Sequence, residues 1–139
     1  MRIDIWSDSV CPFCYVGKRN LEQALAEFEH RDEVEVVWHS FELDPSATEY
    51  PAGSLPELIA SKYQMPLEQA IASQESLAAR AREVGLDFKW RQARYGNTFD
   101  AHRVIHYAAE QGLASAAEEA FKLAYFTQGR SVQDHEPIL

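Results

Sequence analysis

Ile3-Asp4-Ile5-Trp6-Ser7-Asp8-Ser9-Val10-Cys11-Pro12-Phe13-Cys14-Tyr15-Val16-Gly17-Lys18 decides how this chain is read, and it contains both of the chain's cysteines. Ile3, Ile5 and Val10 are β-formers, and apolar and polar residues alternate up to Trp6, which predicts a strand. Ser7, Asp8 and Ser9 form turns. From Pro12 the pattern turns helical, through Leu21, Leu25 and Phe28 at spacings of three and four. Cys11 therefore sits where a strand hands over to a helix. The unpaired N–H groups and partial positive charge of a helix start favour a thiolate over a thiol. Cys14 follows about one turn later, close enough for a short disulfide. Strand, Cys-x-x-Cys and helix in that order point to a redox dithiol.

Two other uses of the cysteines compete with that reading. One is half of a zinc site, which needs about four ligands. The chain has no second Cys-x-x-Cys, and His30, His39, His102, His106 and His135 do not follow Cys14 at zinc-site spacing. His102 and His106 lie four apart, a common helical spacing without metal. The other use is an inert pair of core thiols. The position of Cys11 at a helix start favours redox chemistry over both.

The composition fits one globular, soluble domain with a real core. A net charge of −9 argues against nucleic acid or an anionic membrane as partner. No apolar run approaches the ~18 residues of a membrane span. The first strand begins directly after Met1, which predicts no signal peptide and a cytoplasmic protein. In a reducing compartment a lone Cys-x-x-Cys is more often catalytic than structural.

Along the chain, residues 2–9 are a strand and its turn, and 12–30 a helix whose apolar stripe covers the sheet. Val34, Val36, Val37, Trp38 and Phe41 form a second strand. A strand–helix–strand crossover of this length predicts parallel neighbours, with the reactive group at their carboxyl ends. Residues 45–53 are loop. Ser54 and Glu57 form a capping box ahead of a helix through Tyr63. Pro66 opens another helix, stopped at Gly85; residues 86–95 are irregular. Asn97 or Thr98 caps a helix to about Gln111, and a further helix runs from Ser115 to Thr127. Asp134-His135-Glu136 starts one more.

The segment from Trp6 to Lys18 resembles the active-site segment of the DsbA family, in its FrnE-like branch. Phe41-Glu42-Leu43-Asp44-Pro45 and Asn97-Thr98-Phe99-Asp100-Ala101-His102-Arg103 match the same branch, in the family's order. The resemblance implies an α/β, thioredoxin-like fold of DsbA type with an inserted helical subdomain. Residues 1–44 would be the βαβ half carrying Cys-Pro-Phe-Cys, and 45–139 the helical insertion. The family then returns with two strands and a helix, and that return is missing here. With it goes the cis-proline that such enzymes set beside the dithiol: Pro137 is the only proline after Pro66 and is no candidate.

Cys11, first in the motif and at the helix start, is the expected nucleophile and the more exposed thiol. Cys14 is expected to resolve the mixed disulfide, less exposed and with the higher pKa. Pro12 fits the first helical turn without losing a hydrogen bond. Phe13 stands where DsbA has histidine and FrnE-like proteins usually have tryptophan. It brings no cation, so the depression of the Cys11 pKa is expected to be mild, nearer ~7 than ~3.5. Asp8 is either an acceptor for the Cys14 proton or a turn residue binding backbone N–H groups. His39 is either a base near the dithiol or a packed edge histidine. Trp6, Tyr15, Phe41 and Trp90 are either core or the lining of a groove for a peptide substrate. Asn97 and Arg103 lie in a family motif, or are a cap and a solvated arginine. The charged run Glu22 to Glu33 is a solvated face.

These residues point to a thiol–disulfide oxidoreductase that needs no metal or organic cofactor and takes protein or small thiol and disulfide substrates. The enzyme alternative, 2-hydroxychromene-2-carboxylate isomerase, shares the fold and binds glutathione, but usually has serine first in the motif and no second cysteine. The non-enzyme alternative is a Cys-x-x-Cys metal-binding or interaction module. Two further expectations follow from the missing return: activity impaired by the lack of the cis-proline segment, and self-association through the open sheet edge or an uncovered face of Ile3, Ile5, Val36 and Trp38.

Overall fold

The computed structural model describes residues 1–134. Strand β1 (Arg2–Ser7) leads into helix α1 (Pro12–Glu27), and a 3₁₀ turn at Arg31–Glu33 leads into β2 (Glu35–Ser40). Four helices follow: α2 (Leu55–Tyr63), α3 (Leu67–Glu83), α4 (Phe99–Glu110) and α5 (Ala114–Phe126). A small parallel sheet followed by an all-helical stretch is the arrangement that the resemblance implies. The start of a further helix expected at Asp134-His135-Glu136, and Pro137, fall outside or at the limit of the described residues.

β1 and β2 pair in parallel, from Arg2 opposite Glu35 to Ser7 opposite Ser40. That register puts Ile3, Ile5, Val36 and Trp38 on one face and Arg2, Asp4, Trp6 and His39 on the other. The first face was expected to lie open; instead all four of its residues are half-buried. The more open face is the polar one, where Asp4, Arg2 and His39 pair with one another.

α1 stops three residues earlier than its periodicity predicts. Phe28 is extended, its N–H bonds to Leu25, and the 3₁₀ turn takes the following residues. α2 has the expected capping box, with the Ser54 N–H 2.6 Å from the Glu57 carboxylate. α3 and α4 end at Gly85 and Gly112, whose positive φ values a side chain would strain.

The buried apolar core does not lie between α1 and the sheet. It lies among α3, α4 and α5, built from Ala78, Ala81, Leu86, Phe88, Ala101, Ile105, Phe121 and Phe126. Val10 and Tyr15 reach into it from the dithiol segment. The Tyr15 ring lies 5.5 Å from Phe126 and 6.0 Å from Phe88, which stack on each other at 4.4 Å.

At the rim of this cluster Glu119 of α5 clamps α1. Its carboxylate accepts from the Tyr15 hydroxyl at 2.7 Å, from Lys18 at 2.7 Å and from Arg19 at 3.0 Å, and a second Arg19 nitrogen binds the other oxygen. Burial raises the Glu119 pKa, but the bonds from Arg19, Lys18 and Tyr15 outweigh it and hold the carboxyl at about 2.

A depressed carboxyl stabilises the fold above its unfolded pKa and loses that contribution as pH falls through the folded one. Glu119→Gln is therefore expected to cost about 1–2 kcal/mol at neutral pH. Denaturant unfolding of both proteins should show the gap constant above about pH 4.5 and shrinking toward pH 2. A gap independent of pH would mean that the clamp acts by packing alone.

Candidate active site

The site is assembled on Ser7-Asp8-Ser9-Val10-Cys11, the turn between β1 and α1. All five residues are buried. A buried carboxylate needs donors, and most of those on Asp8 come from distant parts of the chain. The Asp8 carboxylate accepts the Ser9 N–H at 2.8 Å, the Leu43 N–H at 2.8 Å and His102 Nε2 at 3.1 Å. The Thr98 hydroxyl adds a further bond. Burial would raise the Asp8 pKa, yet the bonds from His102, Leu43 and Thr98 bring it below the usual carboxylate value. A carboxylate can only accept, so His102 carries its hydrogen on Nε2 in this contact. The bland reading of Asp8 as a turn residue covers the Ser9 bond; the other partners were not foreseen.

The three segments that carry the family resemblance all meet at this carboxylate. Asp8 is in the first, Leu43 in the second, and Thr98 and His102 in the third.

Cys11 is the N-cap of α1, and its sulfur accepts the Cys14 N–H at 3.3 Å. Pro12 occupies the first turn as expected. Both cysteines are free. Their expected order of exposure is reversed: Cys11 is 8% exposed and buried, Cys14 half-buried. The cap explains it, because the Cys11 sulfur turns back over the helix start.

The two thiols titrate as a coupled pair. The Cys14 pKa falls to about 6, first because the Cys11 thiol donates to it; burial opposes this, and the Asp8 N–H, the charge of Lys122 and the Ser7 hydroxyl assist. The Cys11 pKa rises, because its proton is held by Cys14, its sulfur is buried, and a second charge would face the first. One proton is thus shared between the two sulfurs, and the first ionisation belongs to the pair.

The cation is Lys122 of α5. It is fully buried, and its Nζ lies 3.0 Å from Ser7 Oγ, 2.8 Å from the Asp8 carbonyl and 3.3 Å from Glu118.

The expected aromatic groove is not formed. Tyr15 is buried in the core and Trp90 packs against it, with Arg91 over its ring at 4.0 Å. Trp6, Phe13 and Phe41 remain exposed. Trp6 stacks on His39 at 4.7 Å, and His39 Nε2 is 2.7 Å from Asp4. His39 is thus an edge histidine, tied to Asp4. Asn97 bonds the Ala47 carbonyl at 3.2 Å and caps α4 through the Phe99 N–H at 2.8 Å. Arg103 is exposed and pairs with Asp100 on its own helix. A cleft of about 130 Å³ lined by Glu49, Tyr50, Asn97, Phe99, Asp100 and Gln133 includes neither cysteine.

Sequence reasoning missed Ser7, His102, Glu118 and Lys122. His102 had a usable signal, since it shares a helix face with Ala101, Ile105 and Ala108 while His106 faces solvent. Lys122 had none: Glu118 and Lys122 at i,i+4 look like an ordinary surface pair.

A family model described as the DSBA-like thioredoxin domain matches residues 2–139. Among solved structures, the chain is similar to a probable DsbA oxidoreductase, SCO1869 of Streptomyces coelicolor, with a TM-score of 0.92 and 45% identity over 99% of this chain and 59% of that one. It is similar in fold to the cytosolic disulfide reductase DsbM of Pseudomonas aeruginosa, with a TM-score of 0.55 and 20% identity over 99% of this chain and 60% of that one. Among curated relatives, the uncharacterized protein YwbO of Bacillus subtilis is 28% identical over 135 residues, 96% of this chain and 60% of that protein. The chain thus spans about 60% of the length of the relatives it matches.

The shared proton has a spectroscopic consequence. Thiolate absorbance near ~240 nm in the reduced protein should rise by one thiolate around pH 6, with no second thiolate until far into the alkaline range. Replacing either cysteine by serine should abolish the first step. A single step at an ordinary cysteine pKa would refute the arrangement.

Proposed function

The chain belongs to the DSBA-like thioredoxin domain family, and on that premise we propose that it is a thiol–disulfide oxidoreductase working through Cys11 and Cys14. The observation that carries the proposal is a free Cys-x-x-Cys pair at a helix start, with the Cys11 sulfur capping the helix and accepting the Cys14 N–H.

Cys11 is the attacking sulfur and Cys14 the resolving one. The pair holds one proton and one charge between its two sulfurs. The Cys11 thiolate, at the helix start, attacks a substrate disulfide while the proton rests on Cys14. A Cys11–substrate disulfide forms and the other substrate sulfur leaves as thiolate. Cys14 then gives up that proton and attacks Cys11, closing the Cys11–Cys14 disulfide and releasing the second substrate thiol. The substrate disulfide is reduced and the dithiol oxidised; the reverse sequence oxidises a substrate dithiol. Asp8, held ionised, is the group we assign as acceptor of the Cys14 proton. Trp6, Phe13 and Phe41, exposed by the carboxyl ends of the strands, are the side chains we assign to substrate contact.

The FrnE-like branch is part of the proposal, supported by the meeting of its three segments at Asp8. So are the division at residue 44, a cytoplasmic location, self-association through the free edges of β1 and β2, and insulin reduction weaker than that of a longer relative. Among the described residues no helix is long and apolar enough to cross a membrane, and no three His, Cys, Asp or Glu side chains converge as metal ligands.

Trapping assigns the two roles. Cys14→Ser should accumulate a mixed disulfide with a model substrate, whereas Cys11→Ser should not; the opposite pattern would exchange the roles. Across glutathione redox buffers the wild type should form an intramolecular disulfide, and thiols that never oxidise within one chain would end the oxidoreductase reading. Light scattering at ~100 μM tests association, and a monomer would refute it.

A further inference from the structure

The exchange steps leave the cleft of about 130 Å³ at the head of α4 unused. Two exposed rings, Tyr50 and Phe99, wall it. Gly96 lets other walls close, because a side chain there would collide with Gln133 and with the Glu49 carbonyl. The polar groups of the cleft are one-sided. Asn97 has spent its amide, donating to the Pro45 and Ala47 carbonyls and accepting the Phe99 N–H. Asp100 is met on one oxygen only, by Arg103 of its own helix, and an exposed pair of this kind holds it weakly. Among the described residues no donor meets the Glu49 carboxylate. The Gln133 side-chain oxygen is buried and has no hydrogen-bond partner.

Acceptors without donors call for a group that donates, and two carboxylates favour a cation. Among the described residues no lysine, arginine or histidine lines the cleft to supply one. Size narrows the choice. At about 130 Å³ the cleft falls short of the ~300 Å³ or more that holds a whole small molecule, and it suits one side-chain head. The rings suit the same occupant: a guanidinium or ammonium sits over an aromatic face and lays its apolar stem along it. One loop joins the cleft to the dithiol. The Phe41 N–H bonds the Ser7 carbonyl, and the Leu43 N–H bonds the Asp8 carboxylate. Farther on, Asn97 holds the Ala47 and Thr48 carbonyls, and the loop enters the cleft at Glu49. Phe41 and Leu43 are exposed along it. From Leu43 to Glu49 the chain spans at most about 20 Å, which an extended substrate covers in about six residues.

We propose that the cleft is a specificity subsite for a polypeptide substrate: it takes a lysine or arginine side chain lying within about six residues of the cysteine under exchange. Glu49, Asp100 and the Gln133 oxygen accept from the cationic head, and Tyr50 and Phe99 hold its stem. Phe41 and Leu43 lie beside the stretch of substrate between the two points. The subsite selects among protein disulfides by the charge beside the cysteine, which the dithiol itself does not read.

The inference rests on the oxidoreductase reading, and the test separates the two. Peptide disulfides of one sequence carry Arg, norleucine or Glu about three to six residues from the reacting cysteine. The rate constant for their reduction by the pre-reduced protein is measured in single turnover, for the wild type and for Glu49→Gln combined with Asp100→Asn, with thermal unfolding alongside. The wild type should reduce the Arg peptide about tenfold faster than the Glu peptide at low salt, with norleucine between them. That preference should shrink toward unity near ~0.5 M salt. In the double variant it should fall to within about twofold. If the double variant fails to fold, the exposed single change Glu49→Gln decides alone and should cut the preference by about threefold. Equal rates with the three peptides, or a preference that survives the charge removal, would overturn the subsite and leave the oxidoreductase reading intact. Calcium that abolishes the preference at equal ionic strength would make the cleft a metal site and would also overturn it. A wild type that reduces none of the peptides and never forms the Cys11–Cys14 disulfide would overturn both.

Discussion

A carboxylate buried in a turn dictates much of this structure. Asp8 is almost wholly removed from water, and an ionised carboxylate in that position is tolerable only when its oxygens are filled with donors. One donor is local. The others come from the end of the second strand and from the start of α4. Each segment that supplies one is thereby fixed against the turn that precedes Cys11. The Asn97 side chain extends the effect by tying the loop after β2 to the head of α4. What looks in one dimension like three separate motifs is in three dimensions one set of bonds to one acid.

The same turn explains why the helices are not a mere attachment to the sheet. Its backbone faces α5, and Lys122 meets the Asp8 carbonyl there. Next to it Tyr15 enters the aromatic cluster of Phe88 and Phe126, and Glu119 gathers Tyr15, Lys18 and Arg19 at the rim. The first two turns of α1 are therefore tied to α5 and to Phe88, just ahead of a 3₁₀ turn at Trp90–Gln92, and a rigid helix start is what a dithiol needs to keep its sulfurs in register. The half-buried sheet contributes less to that rigidity than a simple βαβ picture assumes.

The elements themselves were legible. The strands, the capping box at Ser54, the glycine stops at Gly85 and Gly112 and the place of Cys11 at the head of α1 all follow from local patterns, because they depend on neighbours a few residues apart. The site's electrostatics were not. The motif suggests that the helix field acts on Cys11, and the cap shows it, but nothing near the motif reveals that Lys122 bonds Ser7 and the Asp8 carbonyl beneath it. Tyr15 was misjudged for a related reason: nothing near it in sequence reveals the pocket that Phe88 and Phe126 make for its ring. Lys122 and Glu118 have the spacing of a surface ion pair, and only their packing makes them interior.

The bonds that complete the site also have a consequence for its synthesis. Tyr15 meets Glu119 across 104 positions, and Lys122 meets Ser7 across 115. At about 5–20 residues per second, a ribosome needs roughly 5–20 s between making the cysteines and making their cation. Through that interval the nascent chain carries two thiols with neither aromatic shelter nor the charge beneath them. Contacts of such long range also slow folding itself. The reactive pair is thus translated first and finished last, and a chain halted before α5 would carry the motif without its chemistry.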